Sequence, residues 1–168
     1  MGINMGSFGS RLIREQRIPD AVWTKVVFDG VDWDTDGGFD TFTGKFVVGQ
    51  EATFHLAAGV RFLAPDVANR YVDLLLQKNG KPLDMLTRDQ AFNKPDSVAL
   101  DSLEAPWGVY TRGITRGEVV ARPGDVFEIY VCQSFGEPAY LTARHPGSAN
   151  GETPADRHPI YFMGFWHA

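Results

Sequence analysis

The chain has a single cysteine, Cys132, in 168 residues, so no disulfide can form within it and packing alone must hold the fold. It has no run of about 20 apolar residues, the length a helix needs to cross a bilayer, and membrane insertion is not expected. Positive charge is scarce. The 16 Lys and Arg stand against 21 Asp and Glu, a formal charge of -5, which repels phosphate instead of displacing its counterions. Nucleic acid is therefore not an expected partner. The glycine-rich start, Met1 to Ser10, lacks the basic residues and apolar stretch of a secretion signal, so synthesis in the cytoplasm is expected. No repeat, heptad or Gly-X-Y tract occurs, and no Gly-x-Ser-x-Gly elbow or phosphate loop.

What is present is punctuation. Eighteen Gly and ten Pro separate short apolar runs, a pattern of many strands joined by turns. With 43% hydrophobic residues the chain can bury one domain-sized core. Val22 to Phe28 and Lys45 to Val48 read as strands around an acidic, glycine-containing loop. Phe54, Leu56, Ala58, Val60 and Phe62 alternate with Thr53, His55, Ala57, Gly59 and Arg61, the period of a half-buried strand whose second face is small. Val72, Leu74 and Leu76 mark another, and Asn79-Gly80 should reverse it into a hairpin. Val109 to Ala121 and Val126 to Cys132 favour extended chain. About eight to ten strands are too many for one open sheet of this length, so the expected fold is all-β, a two-sheet antiparallel sandwich.

Residues 1–20, with Arg11, Arg14 and Arg17 beside Leu12, Ile13 and Ile18, read as an arm closed by Pro19-Asp20, and residues 21–168 as the head domain. The arm is expected to attach the head to other proteins of a particle, a disordered terminus being the alternative. The last strand, Ile160 to Trp166, is apolar on both faces and so needs two partners, one inside its own sandwich and one beyond it. Oligomerisation is the expectation.

The order of landmarks resembles the globular heads of complement component one-q and the wider tumour necrosis factor-like superfamily. Val26-Val27-Phe28-Asp29 leads to Phe39-Asp40-Thr41-Phe42-Thr43-Gly44-Lys45-Phe46, similar to the family's aromatic-Asp followed by Thr-Gly-Lys-Phe. Then come Leu75-Leu76-Gln77-Lys78-Asn79-Gly80, Arg122-Pro123-Gly124-Asp125-Val126, and a closing Phe162-Met163-Gly164-Phe165 like the family's Phe-x-Gly-Phe. The resemblance spans Ala21 to Ala168, with a poor match from Met85 to Ala105. It implies a jelly roll and a homotrimer, for which His55, Tyr161, Met163 and Phe165 are the expected interface residues, His55 facing a three-fold axis or else standing as an ordinary polar residue at a sheet surface. It does not imply complement activity, because secretion signal, collagen stalk and disulfides are missing. Bacterial and bacteriophage proteins with similar heads serve as tips or spikes, so a virion or other particle surface is the expected setting.

Asp32-Trp33-Asp34-Thr35-Asp36-Gly37 copies the opening of a calcium loop, but Thr43 stands where a closing Glu should be. Asp32, Asp34 and Asp36 are the expected metal ligands, with Asp29 and Asp40 available if the loop folds back, and calcium is the only expected cofactor, a solvated acidic turn being the alternative. The histidines His55, His145, His158 and His167 lack the His-x-His spacing of cupin-type metal sites, so a metal-dependent jelly-roll enzyme ranks last and no catalytic residue is assigned. Cys132 reads as a buried strand thiol. Ser134 to Pro159 is too long for an ordinary connection. Its Tyr140, Arg144, His145, Asn150, Glu152, Asp156, Arg157 and His158 combine an aromatic face with hydrogen-bonding groups, the chemistry of sugar or polar-surface recognition. The expected function is a non-enzymatic trimeric head that binds a cell-surface glycan or receptor. The rival is a purely structural decoration or collar protein.

Overall fold

A computed structural model describes residues 4–63, 71–86, 103–104, 109–142 and 160–168, and among them every regular element is a strand. In the first sheet β10 (Leu103–Glu104), β11 (Val109–Ala121), β7 (Ala52–Leu63), β14 (Tyr161–His167), β1 (Met5–Arg11) and β4 (Gly30–Asp34) lie side by side in that order. There β13 (Ala139–Leu141) bridges β7 and β2 (Gln16–Ile18). The second sheet runs β5 (Phe39–Asp40), β6 (Lys45–Val47), β12 (Val126–Gln133), β8 (Val72–Lys78) and β9 (Lys81–Leu86), with β3 (Thr24–Lys25) also on β12. The strands pair antiparallel, so the two-sheet jelly-roll sandwich expected from the sequence is the architecture observed.

The side-chain period of two sorts each strand into an inner and an outer row. Phe54, Leu56, Ala58, Val60 and Phe62 of β7 face inward, as do Val72, Leu74 and Leu76 of β8 and Phe127, Ile129 and Val131 of β12, and all are buried. Aromatic rings fill the gap between the sheets. Phe8 lies flat on Phe46, centroids 4.1 Å apart at 12°, and meets Phe162 edge-on at 5.0 Å. Trp166 packs between Phe46 and Phe54, at 5.6 and 5.2 Å. Offset and edge-on contacts of this kind add to the area that the rings bury. Gly164 makes room for Phe8, because a Cβ there would lie 2.7 Å from its ring.

Side chains that imitate backbone hold the turns. The Gln16 amide donates to the Lys25 carbonyl at 2.7 Å and accepts from the Val27 N–H at 2.9 Å, standing in for a ladder partner. Buried Gln133 accepts from Phe135 N–H at 2.6 Å and donates to the carbonyls of Glu137 and Ile18. Asn79 and Gly80 adopt φ of 54° and 74°, as a type I′ hairpin turn between β8 and β9 requires. Asp125 ties that hairpin to the turn before β12, accepting from Arg122 N–H at 2.9 Å and the Asn79 amide at 2.7 Å, with the Lys78 ammonium at 2.9 Å. These donors, the Arg122 N–H foremost, hold its carboxyl well below the usual carboxylate range.

Three expectations need correction. Residues 5–18 are not an arm outside the head: β1 lies between β14 and β4, β2 pairs with β13, and Phe8, Leu12 and Ile18 are buried. The segment contains so little bulk that its composition resembles a tail, yet β14 needs a second neighbour and β1 supplies it. The acidic stretch is not all loop, because Gly30–Asp34 is a strand paired with β1. Nor is the stretch from Ser134 all connection, because Ala139–Leu141 within it is a strand. Phe135, Ala139 and Leu141 are buried, and β13 is bonded to β7.

If β1 is integral, deleting residues 1–17 should abolish the cooperative unfolding transition, and Phe8→Ala should destabilise the intact chain by about 3–5 kcal/mol in urea denaturation. A truncated chain that melts like the full one would show that β1 is dispensable.

Candidate functional site

With Phe162, Gly164 and Trp166 turned inward, β14 turns Tyr161, Met163, Phe165 and His167 out. Their antiparallel partners continue that row across the sheet: Ser7 and Gly9 on β1, and His55, Ala57 and Gly59 on β7. Beyond these strands lie Trp33 on β4, opposite Gly9, and Thr115 on β11, opposite Ala57. Among the described residues the fixed charges at this face are Arg11, opposite Tyr161 on β1 and paired with Asp32, and Arg116 of β11. Trp33 is 47% and Phe165 56% exposed, large apolar groups that folding has left in water.

Glycines set the relief of the face. The Trp33 ring lies where a Cβ on Gly9 would be, and a Cβ on Gly59 would stand 2.6 Å from the Tyr161 ring. Each aromatic thus lies down on the backbone of the neighbouring strand, which fixes its orientation without a covering layer. Burial raises the pKa of the Tyr161 hydroxyl, so it is neutral at ordinary pH. His55 stacks on Phe165, centroids 4.5 Å apart at 10°, and lies 6.1 Å from the His167 ring. Trp33, His55, Ala57, Arg116, Met163 and Phe165 line a shallow depression of about 550 Å³. Its polar groups are few and form no nucleophile–base pair, and it is shaped to accept apolar surface.

The structure brings together His55, Tyr161, Met163 and Phe165, the four residues singled out as an interface. It adds Trp33, Ser7, Thr115 and Arg116, which sequence reasoning missed. Trp33 was hidden in a motif: the spacing of Asp32 and Asp34 that copies a calcium loop is also the period of a strand, and the residue between them points to the opposite face.

The three aspartates are not gathered. Asp32 pairs with Arg11 at 3.2 Å, Asp34 accepts from Gly37 N–H at 3.1 Å and Phe39 N–H at 2.7 Å, and Asp36 accepts from the Gln50 amide at 3.4 Å. Among the described residues no cluster of three His, Cys, Asp or Glu could hold a metal. Cys132 is buried on β12, and burial, with Asp73 and Asp20 nearby, raises its thiol pKa. Tyr140 is exposed on β13, between buried Ala139 and Leu141. Arg144, His145, Asn150, Glu152, Asp156, Arg157 and His158 lie outside the described residues.

Because these carboxylates are engaged separately, each by its own partner, millimolar calcium should leave Tm unchanged relative to a chelator. A rise of several degrees would mean that the loop rearranges around a cation.

No protein-family model matches the sequence, and no curated protein does. Solved structures do match in shape. Murine APRIL superposes with a TM-score of 0.58 at 13% identity, over 98% of this chain and 100% of that one. Eiger TNF from S. frugiperda superposes with a TM-score of 0.52 at 9% identity, over 100% and 94%. The globular domain of zebrafish complement 1qA is more distant, at 0.45 and 11% over 97% and 95%, and adds nothing to the assignment. At such identities the likeness is one of fold, and the fold is the tumour necrosis factor-like jelly roll.

Proposed function

We propose that the chain is a non-enzymatic binding head that assembles as a homotrimer through the outer face of its β1–β14–β7 sheet. The observation that carries this reading is the outward row Trp33, Tyr161, Met163 and Phe165, three aromatics and a methionine, with Trp33 and Tyr161 seated on Gly9 and Gly59. Removing Trp33, Met163 and Phe165 from water stabilises by roughly 1.5–3 kcal/mol each, so association relieves a cost that folding alone leaves. A second copy is the fitting cover because it presents the same largely apolar row, Trp33, Met163 and Phe165 included. The tumour necrosis factor-like fold and the sequence resemblance favour three copies.

Light scattering should give a trimer at micromolar concentration. Phe165→Glu, which places a charge at the centre of the face, should give a folded monomer. A wild-type monomer would overturn the reading.

Recognition of an outside ligand, a cell-surface glycan or receptor, falls to the segment that begins at Tyr140 and includes Arg144 and His145. Support comes from Tyr140, which offers an exposed ring from a strand whose other residues anchor it. The virion or particle-surface setting rests on the sequence resemblance. Replacing Tyr140, Arg144 and His145 with Ala should leave Tm nearly unchanged and weaken binding of a glycan-array hit about thirtyfold, roughly 2 kcal/mol. An array with no hits would favour the purely structural particle protein.

A further inference from the structure

We propose that acid opens the trimer and that His55 is the trigger, an inference that rests on the self-association reading above. His55 stands inside the face to be covered, on β7, with Phe165 stacked against one side of its ring and the Gly117 backbone beside the Nδ1 edge. Neutral imidazole suits this place, being flat, stackable and uncharged. Imidazolium does not, because covering the face strips a charge of its water.

The surroundings offer that charge no counterion. Arg116 of β11 lines the same depression and is itself cationic. Glu118, two residues on, lies exposed within the bulge that breaks the β11–β7 register. On β14 the nearest titrating group is His167, again a potential cation, while Tyr161 stays neutral. Across the depression β1 contributes Ser7, and its Arg11 is paired with Asp32 of β4. Asp34 of β4 is engaged by the Gly37 and Phe39 N–H groups. On β7 itself Glu51 precedes the strand, and Arg61 near its far end donates to the Thr142 carbonyl. Among the described residues no carboxylate pairs with His55. Attraction to the Phe165 ring partly offsets the charge, but that gain is smaller than the lost hydration. Assembly multiplies the effect, because each copy brings another His55 and Arg116 to the shared face.

The sign follows from linkage. The covered state disfavours the protonated ring, so affinity is present at high pH and is lost as pH falls below about 6.5, where imidazole ordinarily takes up its proton. Sedimentation velocity on the full chain between pH 8 and pH 5, with circular dichroism in parallel, tests it. The expected result is a trimer at pH 8 and a folded monomer at pH 5, the logarithm of the dissociation constant rising as pH falls with a slope approaching about three, one proton per copy. His55→Gln should bring the ratio of dissociation constants at the two pH values close to one, whatever its affinity. If Gln prevents assembly, His55→Phe takes its place, keeping a stackable ring with no titrating nitrogen. A monomer at pH 8 overturns self-association itself. A trimer at both pH values overturns the switch and leaves self-association standing. The switch also fails if dissociation persists unchanged in the His55 variants, if His167→Gln alone abolishes it, or if it coincides with loss of the β-sheet signal.

Discussion

Phe8 lies flat on Phe46 across the space between the sheets, with Phe162 and Phe39 around it, and the rest of the arrangement depends on that contact. Once Phe8 points inward, the strand period turns Ser7 and Gly9 outward. Gly9 then offers bare backbone on which Trp33 can lie, and Ser7 stands opposite Phe165. The inner ring and the outer face are therefore two readings of one strand. A register slip of one residue in β1 would put a phenylalanine outside and a glycine in the core, losing both at once.

The same economy governs the turns. Gln16, Asp40, Asp125 and Gln133 satisfy backbone N–H groups that short, curled strands leave without a ladder partner. Asp40 accepts from the Phe42 N–H at 2.9 Å and from the Thr43 hydroxyl at 2.6 Å. Those two bonds, the hydroxyl's first, lower its pKa. They shape the bend in which Gly44 takes a φ of 71° and passes close to Val26, so that Phe46 can enter the core. With turns pinned this way, the sheet edges need little regular pairing, and strands of two or three residues suffice.

Where hydrophobic period and turn chemistry agreed, the sequence was readable. The alternation of Phe54 to Phe62, the Asn79-Gly80 reversal and the two-sided last strand each specify a strand and its faces, and the outward residues on β7 and β14 followed from the same period. Residues 5–11 were not legible, because Gly6, Ser7, Gly9 and Ser10 carry almost no hydrophobic signal. Their strand exists because neighbours supply hydrogen bonds and Phe8 supplies one anchor, both tertiary effects. Trp33 was obscured for a different reason: alternating aspartates suit a metal loop and an edge strand equally well in one dimension. Tyr140 was rightly taken as exposed, although the strand beneath it was invisible in a stretch of Gly, Pro and Ala.

Pairing of β1 with β14 also sets the chain's connectivity in space. Met5 stands opposite His167, and the Ala168 N–H donates to the Asn4 carbonyl at 2.9 Å. The path therefore comes back to within one hydrogen bond of where the described chain sets out, and among the described residues it nearly closes into a ring. A short tether between Asn4 and Ala168 would complete that ring without crossing the sandwich, and the opening could then be moved to another surface turn, such as Asn79-Gly80, with every strand neighbour retained.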